Sequence, residues 1–86
     1  MAESSDAAQA RVFADMLTAE IAAASSRVEE SENLARKALR VGDSRSHVWH
    51  SDEAQTQKQA LYELHRQLDA LHSRFLLTTG QRQSAR

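Results

Sequence analysis

Imidazole is the side chain of this sequence best placed to do chemistry, and four are present: His47, His50, His65 and His72. A metal centre would need three or four ligands converging on one point, with further groups orienting them. The spacings here are three residues for the first pair and seven for the second, with no His-Glu-x-x-His pattern and no Glu-x-x-His pair. Proton transfer remains open to any of the four, since imidazole titrates near neutrality. Their reading is as solvated residues or residues at the edge of a packed seam, able to make assembly pH-sensitive. The chain has no cysteine, which removes thiolate chemistry and disulfides. Arg36, Lys37, Arg40, Arg45 and His47 form a basic cluster that could meet phosphates. No catalytic, metal-binding or cofactor-binding residue is assigned, and the chain is expected not to be an enzyme.

The elements that carry these residues are helical. The chain has 86 residues, no proline and two glycines, and good helix formers dominate between those glycines. The stretch LYELHRQLDALHSRF places Leu61, Leu64, Leu68, Leu71 and Phe75 at alternating steps of three and four. That spacing keeps one apolar face turned towards a partner helix, as in a left-handed coiled coil. Upstream, Ala10, Phe13 with Ala14, Leu17, Ile21, Ala24, Val28, Ser31, Ala35 and Ala38 trace a leaner seam of the same period. Its bulky members are Phe13, Leu17, Ile21 and Val28, so its N-terminal half should pack best.

Boundaries follow from caps and stops. Ser4 or Ser5 serves as an N-cap, residues 1–5 precede the helical unit at 6–79, and the first helix runs from about Asp6 to Val41. Gly42 fits the usual glycine stop. A turn over about 42–50 leads to a second helix over about 51–79, capped by Ser51 or by Ser46, and Ser51 is favoured because Asp52 and Glu53 follow it. Gly80 ends it, leaving 80–86 as a frayed tail. At ~1.5 Å per residue the helices are roughly 50 and 42 Å long. So short a connection makes them double back into an antiparallel coiled-coil hairpin. Burying the flanking Leu34, Leu39, Ala60, Leu76 and Leu77 calls for further helices. The fold class is therefore all-α, a hairpin completed into a four-helix bundle by a second chain.

Charge narrows the function classes. Residues 1–34 hold seven acids and two bases, whereas residues 35–50 hold four bases and one acid. The first helix is thus acidic at its start and basic at its end, which complements the helix macrodipole. This accounts for the basic cluster without nucleic acid, and the net charge of −1 opposes a large phosphate-contacting surface. No apolar run approaches the ~20 residues of a membrane span, and MAESSDAAQ has no leader-like pattern. A cytoplasmic or other intracellular setting is expected. The function expected is a structural or adaptor subunit binding a protein partner, a second copy or a heteromeric complex, through its seam. A small nucleic-acid-binding regulator is the lesser alternative.

Trp49 is the only tryptophan and lies in the connection beside Val48. It caps the open end of the bundle or serves as a binding anchor. Two helices, no cysteine and a tryptophan in the connection resemble the layout of the WXG100 family of small secreted helical hairpins. The resemblance implies a secreted dimer acting through the Trp49 turn. The sequence departs from the family's motif, since Trp49-His50-Ser51 lacks the glycine and Tyr62 is followed four residues later by Arg66 rather than an acid.

Overall fold

The computed structural model describes residues 5–76, and these are helical apart from one turn. Helix α1 is Ser5–Arg40 and helix α2 is Ser44–Leu71, continued by a π-helical turn at His72–Leu76. The two helices pack against each other as an antiparallel hairpin. The placements expected for Ser4, Leu77, Gly80 and the tail lie outside the described residues.

The turn is shorter than its sequence suggests. Gly42 takes a φ of +80°, and its N–H donates to the Leu39 carbonyl at 3.1 Å while the Asp43 N–H donates to Ala38 at 2.8 Å. This pair of reversed bonds closes α1 and satisfies carbonyls that the helix end leaves without partners. Asp43 then starts α2: its carboxylate accepts from the Ser46 N–H at 3.1 Å, and its carbonyl accepts from His47. One residue thus completes the stop of one helix and caps the next. The expected turn over 42–50 and the Ser51 cap are corrected accordingly, because closure around Gly42 delivers an aspartate, a strong N-cap, directly to the first free amides. Residues 44–50 are helical, and Ser51 sits inside α2.

A β-carbon at Gly42 would meet nothing within 4 Å, so any cost of substitution there is conformational. Gly42→Val is expected to destabilise the hairpin by about 1–3 kcal/mol, because a β-branched residue is strained at positive φ, while Gly42→Asn is mild. Thermal melts that place the two variants together would show that this glycine does not set the turn.

Packing follows the seam in part. On α1 the buried line is Ala10, Ala14, Leu17, Ala24, Val28, Ser31, Ala35 and Ala38, with Ile21 half-buried. Phe13 lies beside this line rather than in it and is 46% exposed. On α2 only Ala54 is buried, while Leu61, Leu64, Leu68 and Leu71 are half-buried and Phe75 is 40% exposed. The hairpin is 13 Å across its Cα positions in the thin direction, which is one helix layer. The leucines of α2 reach past the contact line of such a layer and stay half-buried, whereas Leu17 and the alanines of α1 end within it. The one buried residue of α2 lies towards the turn. The N-terminal half of α1 buries Ala10, Ala14 and Leu17, and its C-terminal half buries Ala24, Val28, Ser31, Ala35 and Ala38.

Ser31, the one buried polar residue among those described, donates to the Gln57 side-chain oxygen at 2.9 Å. This bond fixes the level of one helix against the other. Lys58 reaches across to Glu32 at 2.6 Å. The i, i+4 geometry on α1 favours Arg36 as the partner of Glu32, but Arg36 bonds Asn33 instead. No buried side-chain nitrogen or oxygen among the described residues lacks a hydrogen-bond partner.

Candidate functional site

The four histidines do not come together. His47 is half-buried in the angle between the helices, where its Nδ1 lies 2.9 Å from the Ala35 carbonyl oxygen and donates to it. It shares a cleft with Glu32, Arg36, Ser51 and Lys58. His50 meets the Trp49 ring edge-on, with centroids 5.1 Å apart. His65 and His72 lie further along the same helix, His65 exposed and His72 half-buried. From His50 to His65 is roughly 22 Å along a helix axis at 1.5 Å per residue, too far for common ligation. No group of three or more His, Cys, Asp or Glu among the described residues could hold a metal ion.

Two carboxylates carry electrostatic weight. Asp43 is held below the usual carboxylate range chiefly by the Ser46 backbone N–H, then by the Ser46 side chain. Glu32 is lowered first by its hydrogen bond to Lys58 and then by the charge of that ammonium. A carboxyl group with a depressed folded pKa contributes stability above its unfolded pKa, about 4, and loses it as pH falls through the folded value. The melting temperature is therefore expected to hold from neutral pH down to about 5 and to drop below about 4. Asp43→Asn keeps an acceptor at the cap without a titrating group, so its decline over that range should be shallower. A decline parallel to the parent's would remove Asp43 from the account.

Apolar surface is the more prominent feature of the described residues, and much of it gathers at the two ends of the hairpin. At the turn, Leu39, Val41, Val48 and Trp49 are all exposed, and Trp49, at 60%, forms a shallow depression with Arg45, Val48 and Asp52. An indole so exposed does not cover the end of the single hairpin and stands open to a second helix layer or to a target. At the open end, Ala10, Phe13, Leu71 and Phe75 line one cleft, and Phe13, Gln67, Leu71 and Arg74 line another beside it. Between the two ends run the half-buried leucines of α2. The exposed pair Val12 and Met16 lies elsewhere on α1; its i, i+4 spacing was the available signal, and it falls outside the seam.

No family model matches the chain, and neither a curated protein nor a solved structure does. None of the described helices is long and apolar enough to cross a membrane.

Proposed function

We propose that this chain is a non-enzymatic helical interaction module, a small structural or adaptor subunit that associates with partner helices through its leucine seam. The observation that carries the reading is the state of that seam. Leu61, Leu64, Leu68 and Leu71 stand in register yet half open to solvent, and no large side chain among the described residues is fully enclosed. Apolar surface left at one helix layer is removed from water when a second layer covers it, at roughly 25 cal/mol per Å². A partner protein, either a second copy or a member of a heteromeric complex, supplies that layer and turns the hairpin into a four-helix bundle. Exposure of Trp49 favours, as a second reading, a hairpin dimer of WXG100-like layout that contacts its target through the turn.

Helix content and mass, followed against concentration and against candidate partners, test the proposal. Melting temperature and mass should rise together on self-association or on addition of the partner. A chain that stays monomeric, melts cooperatively at a high temperature and gains nothing from any chain with which it co-purifies would sink it.

A further inference from the structure

Immediately before the seam positions Ala14, Ile21, Val28 and Ala35 of α1 stand Phe13, Glu20, Arg27 and Leu34, a row repeating every seven residues and exposed throughout. The corresponding row of α2, before Ala54, Leu61, Leu68 and Phe75, is Glu53, Ala60, Gln67 and Arg74, also exposed. Both rows lie on one face of the hairpin. Phe13, Gln67 and Arg74 line a common cleft at the open end, whereas the other face holds the Glu32 and Lys58 pair and the cleft beside Ser51 and Gln55.

Each row is complementary to itself when reversed. On α1, Phe13 and Leu34 stand at equal distances from the point between Ala23 and Ala24, and so do Glu20 and Arg27. On α2, Glu53 and Arg74 stand at equal distances from the point between Glu63 and Leu64, and so do Ala60 and Gln67. The two midpoints are level in the fold. Ser31, bonded to Gln57, is seven and a half residues beyond the first midpoint, and Gln57 is six and a half residues short of the second. The difference is one residue, about 1.5 Å along a helix. A single two-fold axis, perpendicular to the helices and lying between two stacked hairpins, therefore serves both rows.

We propose that this face is the contact between two copies of the chain, stacked antiparallel with α1 over α1 and α2 over α2. Glu20 of each copy faces Arg27 of the other, Glu53 faces Arg74, and Phe13 packs against Leu34. The assignment rests on the reading of the chain as a helix-presenting module and adds the partner, the face and the orientation. Stacking the copies parallel, α1 over α2, sets Phe13 against Arg74 and Leu34 against Glu53, and it leaves Glu20 and Arg27 without opposite charges. Flanking charges of this kind select orientation in helical assemblies. At the axis stands Ala23, small and exposed between Glu20 and Arg27, which lets the two α1 helices approach closely.

Sedimentation of the full chain over a wide concentration range provides the test, with circular dichroism confirming that each variant is helical. The parent should dimerise. Glu20→Arg and Arg27→Glu, both at exposed positions, should each raise the dissociation constant at least tenfold, about 1.4 kcal/mol. The double variant should recover most of the loss, because the reversed pair again carries opposite charges. Orientation is read by single thiols, as the chain has no cysteine: oxidation should link two copies through Ala23→Cys, near the axis, and not through Gln9→Cys, near the end. A dimer indifferent to both reversals, or linked through Gln9→Cys alone, overturns this face and leaves the helix-presenting reading standing. A parent that is monomeric throughout overturns the second copy as the partner, and the wider reading then stands or falls on heteromeric partners.

Discussion

Leu17→Ala is expected to lower the stability of the hairpin by ~2–5 kcal/mol, the usual cost of deleting most of a buried leucine and leaving a cavity. Leu17 is only 4% exposed, and the other buried positions are alanines, Val28 and Ser31. It is therefore the largest side chain in the line that holds α1 to α2. A stability of ~5–15 kcal/mol is ordinary for a native protein, so this one substitution removes a large share. Leu68 provides the contrast. It sits at the centre of the leucine stripe but is half-buried in a single hairpin, so Leu68→Ala should cost the isolated hairpin less and weaken association more. Denaturant titrations below and above the association range separate the two effects. Equal midpoints for Leu17→Ala and the parent would show that the alanine line alone holds the helices together.

The second large effect is a contrast between two sets of substitutions. Replacing Leu64 and Leu71 together by serine should abolish association, since each change removes apolar surface and leaves a hydroxyl and a void in the seam. Replacing His47, His50, His65 and His72 together by glutamine should leave binding within about tenfold, ~1.4 kcal/mol. Glutamine keeps a donor that can reach the Ala35 carbonyl in place of the His47 ring, while proton exchange and most metal affinity are lost. A histidine variant with intact helix content and mass but no function would point to a proton-transfer or metal site and overturn the module reading.

Two helices doubling back on each other were legible because the 3.5-residue period of Leu61 to Leu71, and of Leu17 to Ala38, survives any detail of packing. The start of α2 was hidden by adjacency. Asp43 follows Gly42 directly, so a cap stood where a loop residue was expected, while Ser51 offered a locally stronger pattern with two acids behind it. How deeply the leucines are buried was not legible at all, since a stripe records which face is apolar and says nothing of how many layers cover it. The level of α1 against α2 was equally hidden. Sliding one seam by seven residues satisfies both stripes, and it is the bond from Ser31 to Gln57, together with the three-residue turn, that selects one register. At the candidate interface, the apolar members Phe13, Leu34 and Ala60 could be singled out from sequence, but placing Glu20, Arg27, Glu53 and Arg74 on the same side required the fold.

Because the turn is closed so tightly at Gly42 and Asp43, contacts between the helices lengthen in sequence with every step away from it. His47 meets Ala35 across twelve residues and Ser31 meets Gln57 across twenty-six, while Phe13 and Phe75 border one cleft across sixty-two. The entropy of closing a loop grows with its length, so the hairpin assembles as a zipper from the turn and frays from the opposite end. Amide protection against hydrogen exchange should fall off in the same order along both helices, and uniform protection would contradict it. The aromatic end thus closes last, and whatever covers Phe13 acts as a clasp, setting how long the zipper stays shut.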